Sequence, residues 1–144
     1  MSKTIPKADA GTPEDKERIR RVVESRQLVG ASNDTKWGIF LDRMRSRDWK
    51  PSYRYKCVDG PIRGWDVEWW HHLPLPMMSV EWFDISMIQE TSQGLLLPPK
   101  ITNHRDWILA ILDEARLCYE VHGEIVRIFG YLPKNYDGLD ESAI

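Results

Sequence analysis

Gly64-Trp65-Asp66-Val67-Glu68-Trp69-Trp70-His71-His72 is the stretch whose reading decides the fold. Taken as a β-strand, it divides by alternation into two faces. Trp65, Val67, Trp69 and His71 share one face, and Asp66, Glu68, Trp70 and His72 share the other. The first set is apolar and predicts a core face. The second mixes charge with an aromatic and predicts either a solvated face or a recognition surface.

Working outward from this stretch, the neighbouring segments also read as short strands. Before it, Tyr53, Tyr55 and Cys57 alternate with Arg54 and Lys56, and Asp59-Gly60-Pro61 marks a turn. After it, Leu73-Pro74-Leu75-Pro76 stops the run, because proline removes a ladder donor. Ser79 to Ile85 follows, with Val80, Trp82 and Phe83 as its bulk. The three runs in series predict an antiparallel meander. Arg54 and Lys56 would then meet Asp66 and Glu68 across a strand pair.

The flanks read as helices. Thr12-Pro13-Glu14-Asp15 is a helix start: a capping threonine, proline at the first helical position and acids at the positive end of the dipole. Trp37, Phe40, Leu41 and Met44 recur at i, i+3, i+4 and i+7, one apolar face of a second helix. A third starts near Asn103, with Trp107, Ile108, Ile111, Leu112 and Ala115 as its buried face. Tyr119–Val121 and Ile125–Phe129 flank His122-Gly123 as a hairpin. Ser86 to Glu90 fits strand or helical turn, and Leu95 to Ile101 reads as extended.

The expected architecture is α+β: a four- or five-stranded, mostly antiparallel sheet with two or three helices packed on one face. The expected organisation is a flexible tail over 1–11, one domain over 12–133 and a second flexible tail over 134–144. The expected core is Trp37, Phe40, Trp65, Trp69, Trp82, Trp107 and Phe129.

Composition narrows the function classes. The chain has 144 residues, enough for one domain without a stapling disulfide or metal. Its 20 basic and 22 acidic residues leave a net charge of −2, without the basic excess that grips nucleic acid or an anionic membrane. Cys57 and Cys118 are in no CxxC pair and read as reduced core residues. The polar start Met1-Ser2-Lys3-Thr4 has no secretory h-region, and no run approaches the ~20 apolar residues of a membrane span. The expected location is the cytoplasm.

Catalytic patterns are missing. There is no HExxH, GxSxG, P-loop or GxGxxG, so neither a cofactor nor a metal is expected. Adjacent His71 and His72 point apart on a strand and make a poor metal pair. Asp66 and Glu68, about 6–7 Å apart on a strand, suit acid–base work in principle and suit two surface acids equally well. An enzyme using Asp66, Glu68 and His72 is therefore the alternative to a binding protein, and an adaptor for a peptide is a third reading.

One resemblance weighs on that choice. The order Lys36-Trp37, Tyr53-Arg54-Tyr55-Lys56, Asp59-Gly60, Gly64-Trp65-Asp66-Val67-Glu68-Trp69, His72-Leu73-Pro74, Glu81-Trp82-Phe83-Asp84-Ile85 and Ile128-Phe129-Gly130-Tyr131 is similar to a small bacterial family of unknown function with a GWDxEW core. It covers roughly Trp37 to Pro133. Such families resemble the immunity proteins of polymorphic toxin systems. The resemblance implies a partner that is a cognate toxin, an ADP-ribosyltransferase or a nuclease, blocked at its active site. It brings no catalytic residues. Asp66, Glu68, Trp70 and His72, with Arg54 and Lys56, are the candidate partner-binding residues.

Overall fold

The computed structural model describes residues 5–139. In chain order the elements are α1 (Pro13–Ser25), β1 (Val29–Gly30), α2 (Asp34–Arg45), β2 (Tyr53–Cys57), a short 3-10 turn (Met77–Ser79), β3 (Val80–Ser86), β4 (Ile88–Thr91), β5 (Lys100–Asn103), α3 (Arg105–Glu114), β6 (Tyr119–His122), β7 (Ile125–Phe129) and β8 (Tyr131–Leu132). The α+β class and the antiparallel sheet are as expected. The main sheet has four strands in the order β2-β3-β7-β6, all pairs antiparallel, and β1-β8 and β4-β5 form separate two-stranded sheets.

Local chemistry explains the helix starts. Thr12 accepts a hydrogen bond from the Asp15 amide, and Asn33 accepts one from Lys36, each satisfying a donor that has no partner inside the helix. On α3 the expected cap Asn103 lies one residue early: it accepts from the Arg105 amide, while His104 occupies the capping position without a side-chain cap bond.

One face of the sheet carries the core. Tyr53 on β2, Phe83 and Ile85 on β3, and Val126 and Ile128 on β7 are buried with Trp37, Phe40, Leu41 and Met44 of α2 and Ile108, Ile111 and Leu112 of α3. Phe83 is the hub, with ring centroids of Trp37, Phe40, Tyr53 and Trp69 between 5.1 and 6.2 Å from its own. Fully burying an apolar side chain of this size is worth roughly 1.5–3 kcal/mol, so this cluster fixes how the helices sit. Of the expected core, Trp37, Phe40, Trp69, Trp82 and Phe129 have no appreciable exposure, and Trp107 is half-buried at the edge.

The other face carries charge. At one register position Arg54, Asp84, Arg127 and Glu120 stand side by side across all four strands, alternating in sign. A bulge adds to it. Pairing steps from Lys56↔Trp82 to Cys57↔Val80, so Glu81 and Trp82 together oppose Lys56 and Glu81 is re-aimed onto this face. Arg54 and Lys56 were expected on a solvated surface. Instead they pair with buried Asp84 (2.9 Å) and Glu81 (2.9 Å), because residues 134–139 cover the face.

Those residues fall in the segment expected to be a loose tail. Arg127 donates to the Asn135 and Asp137 carbonyls, Arg54 to the Gly138 carbonyl, and Asn135 to Glu81. Tyr136 packs edge-on against Phe129. The rest of that segment, 140–144, lies outside the described residues. At the other end, Ala8 is buried in the core and its carbonyl accepts from Met77, so residues 5–11 also pack on the domain; 1–4 lie outside the described residues.

Two further expectations are corrected. The 64–72 stretch is not a strand of the sheet: β2 and β3 pair directly, so there is no three-strand meander. Second, Leu95 to Leu97, expected as extended chain, lie in the turn of a hairpin arm outside the main sheet, whose strands are Ile88–Thr91, in keeping with the strand alternative for Ser86 to Glu90, and Lys100–Asn103. Cys57 and Cys118 are free thiols, half-buried. Among the described residues no helix is long and apolar enough to cross a membrane.

Candidate functional site

The Gly64–His72 loop joins the sheet by backbone pairing at one point. Asp66 and Tyr53 exchange two backbone hydrogen bonds of 2.8 Å. Beyond that point the carboxylates turn back on the loop itself. Asp66 Oδ1 accepts from the amides of Val67 (2.7 Å) and Glu68 (2.9 Å), and Asp66 Oδ2 faces His72 Nδ1 at 2.8 Å. The Glu68 carboxylate accepts from the amides of His71 (2.8 and 2.9 Å), His72 (3.0 Å) and Trp70. Tyr53 Oη donates to the Glu68 carbonyl from below.

This pattern inverts the faces read from alternation. A short acid that bonds the amides one and two residues on offers the backbone an alternative to a ladder. The chain bends, and the Asp66 and Glu68 carboxylates are drawn inward as ligands of their own backbone, while His72 stays exposed. Trp65, expected in the core, is 44% exposed, and Val67 is 68% exposed. Trp69 alone of the odd-numbered set fills the core, with its indole donating to the Pro51 carbonyl at 2.9 Å. Trp70 is half-buried, with Lys50 Nζ 5.1 Å and Arg45 Cζ 6.0 Å from its ring centre.

The loop acids are held ionised. The Glu68 amide, helped by the His72 ring and the Val67 amide, outweighs burial, which works upward, and sets the Asp66 carboxyl below the ordinary aspartate value. For Glu68, burial works upward, but the amides of His71, Trp70 and His72 outweigh it and the net shift is downward. Both acids are thus acceptors saturated by amide donors. A carboxylate in that state is a poor general base, because protonating it breaks the bonds that shape the loop. The His72 ring meets Asp66 through Nδ1, and its Nε2 lies 3.8 Å from Glu68 Oε2.

Of the six candidate binding residues, the fold brings Asp66, Glu68, Trp70 and His72 into one loop. Arg54 reaches that loop by another route: its guanidinium lies 5.0 Å from the Trp65 ring centre while its Nε holds Asp84. Lys56 does not reach it. Beside Trp65 is a hollow of about 470 Å³, whose other walls are Ser52, Ser86 and the β6–β7 turn from His122 to Ile125. The exposed indole therefore lines a concavity at one end of the sheet. Among the described residues no group of three or more His, Cys, Asp or Glu side chains is placed to hold a metal.

Sequence reasoning missed Trp65 and Val67 as surface residues. The signal for them lay in Gly64-x-Asp66-x-Glu68, since Asp followed by free amides after a glycine favours a turn as much as a strand.

A family model matches residues 19–135. The chain belongs to DUF6678, a family of unknown function. The matched span takes in most of α1 and reaches Asn135, so it is wider than the similarity from Trp37 to Pro133, and the loop, the charge ladder and the hollow all lie inside it. No curated protein and no solved structure matches the chain.

Proposed function

We propose that this chain is an immunity protein: a non-catalytic binder that neutralises a cognate bacterial toxin domain in the cytoplasm by occluding its active site. The GWDxEW string and the likeness to toxin-immunity families carry the class. One observation carries the mode of action, namely that Trp65 and Val67 are presented outward on a loop locked by its own hydrogen bonds, beside a hollow at the sheet's end.

Three physical points support the reading. Tryptophan is the residue type most enriched at binding hot spots, and truncating one there costs about 2 kcal/mol or more. A loop already held by its amide–carboxylate bonds loses little entropy on binding. The ionised Asp66 and Glu68 add a local negative field that steers a basic partner. A basic cleft is what an enzyme acting on nucleic acid or on a dinucleotide presents, which fits a nuclease or an ADP-ribosyltransferase as the target.

Co-expression with the product of the adjacent gene tests the proposal. Wild-type chain is expected to restore growth and to co-purify with that product, and Trp65→Ala is expected to weaken the complex at least ~30-fold. A neighbouring gene product that is harmless when expressed alone would overturn the proposal.

A further inference from the structure

The β4–β5 arm ends in a feature that the proposed function does not use. Leu95 and Leu96 at its tip are 105% and 97% exposed, and Leu97 is 58% exposed. Three consecutive leucines left in water at the end of a projecting hairpin are an apolar knob, and such patches mark contact sites. From Ser92 to Pro99 the tip has no charged residue. It therefore lacks the basic collar that draws a loop to anionic lipid.

The root of the arm is firm. Met87 donates to the Glu124 carbonyl and accepts from the His104 amide. His104 takes the Trp107 indole proton on Nδ1 (2.8 Å), so its other nitrogen, Nε2, carries the hydrogen that meets Gln89 Oε1 at 2.8 Å. Trp49 stacks on the His104 ring at 3.9 Å. The four-residue strands then carry the tip roughly 13 Å out from this root.

The same chain has an opening that suits the knob. Between α2 and residues 5–9 runs a groove of about 760 Å³, floored by Pro6, Ala8, Gly38, Leu41 and Trp70. That is within the roughly 300–1,000 Å³ of pockets that enclose a drug-sized apolar group. At Gly38 an added Cβ would have no atom of the described residues within 4 Å, so among them this part of the helix surface is uncovered. The rim carries both signs, with Asp34 and Asp42 against Arg45, which favours a neutral occupant over a charged one. Ser46 lines both this groove and the cleft of Trp49, His104 and Trp107 at the arm's root. The arm's root and the groove are thus neighbours on the surface.

We propose that two copies of this chain clasp each other reciprocally, each seating its Leu95–Leu97 tip in the groove of the other. Placing arm root and groove side by side lets one two-fold axis satisfy both contacts at once, and the assembly closes as a dimer instead of growing into a filament.

Light scattering on the full chain, over about a hundredfold range of concentration, reads the outcome directly. The wild type is expected to reach twice the chain mass of 16.9 kDa. Leu95→Asp with Leu96→Asp is expected to give the single-chain mass with far-UV circular dichroism unchanged, and a melting temperature that, unlike that of the wild type, does not depend on concentration. Gly38→Phe, which fills the groove from a site with open space, is expected to give the single-chain mass too. A wild type that stays at the single-chain mass throughout overturns the proposal. So does a Gly38→Phe variant that remains dimeric, which would mean that tips meet tips. A monomer that co-sediments with phosphatidylcholine vesicles through its leucines also overturns it, in favour of a lipid surface.

Discussion

Arg127 grips Asp84 across the β3–β7 pair with two parallel bonds, Nε to Oδ1 at 2.7 Å and Nη2 to Oδ2 at 2.8 Å, and neither side chain has any exposed surface. The same guanidinium lies 3.5 Å from the Trp82 ring centre and donates its remaining nitrogen to the carbonyls of Asn135 and Asp137. One residue thus joins the charge ladder, the aromatic layer and the C-terminal segment. Removing one member of a buried ion pair leaves a charge without a partner, at a cost of about 3–5 kcal/mol. Asp84→Asn is expected to destabilise by that amount in urea unfolding. Arg127→Met is expected to do the same and, by releasing the carbonyl bonds, to open residues 134–139 to limited proteolysis.

Glu81 sets an acid limit on stability. Burial works to raise its carboxyl, but the hydrogen bonds from Arg26, Asn135 and Lys56 prevail and hold it down to about 2 against an ordinary 4.5. A carboxyl depressed on folding contributes stability that is fully present above its unfolded value and is lost as pH falls from about 4.5 toward 2. The stake is on the order of 3 kcal/mol. Urea midpoints measured from about pH 6 down to about pH 3 should fall for the wild type. They should fall much less for Glu81→Gln, which starts lower at neutral pH.

The loop acids act as caps. Glu68→Ala strands three amides, and a lost cap of this kind costs about 1–2 kcal/mol. Loss of the bend should also change the environment of exposed Trp65, read as a shift in its fluorescence. Asp66→Asn keeps an oxygen acceptor for the Val67 and Glu68 amides and is expected to be milder. A Glu68→Ala chain with unchanged stability and unchanged emission would refute the capping role.

Gly130 and Gly38 should respond oppositely to alanine. At Gly130 a Cβ would stand 2.0 Å from the Val80 carbonyl oxygen, a backbone atom that cannot swing aside, where Gly130 itself donates to the Glu81 carbonyl. Gly130→Ala is expected to cost at least about 3 kcal/mol by forcing β7 away from the start of β3. Gly38 lies inside α2 with open space around it. Gly38→Ala is expected to stabilise by up to ~1 kcal/mol. Thermal unfolding of the two variants side by side checks the pair.

The elements that were legible in the sequence are those whose pattern is local. The α2 face from Trp37 to Met44, the Thr12 cap and the His122-Gly123 hairpin follow from periodicity and turn chemistry that a neighbouring residue or two can satisfy. Alternation also placed Tyr53 and Tyr55 opposite Arg54 and Lys56. What covers those basic residues was not legible, because Asp84, Glu81 and residues 134–139 arrive from far along the chain.

The opening stretch divides along the same line. Sequence by itself determined that Gly64–His72 is rich in aromatic and acidic groups, and that Trp69 belongs in the core. Only the tertiary structure decided that Trp65 and Val67 face water. Asp66 and Glu68 could have paired with cross-strand bases or with their own backbone amides. With β2 and β3 paired directly, the stretch is left on the outer edge of β2 and bridges it only at Tyr53–Asp66; beyond that bridge the nearest donors to each carboxylate are the amides that follow it. Alternation is a property of a chain held in a ladder, and here the ladder ends at Asp66.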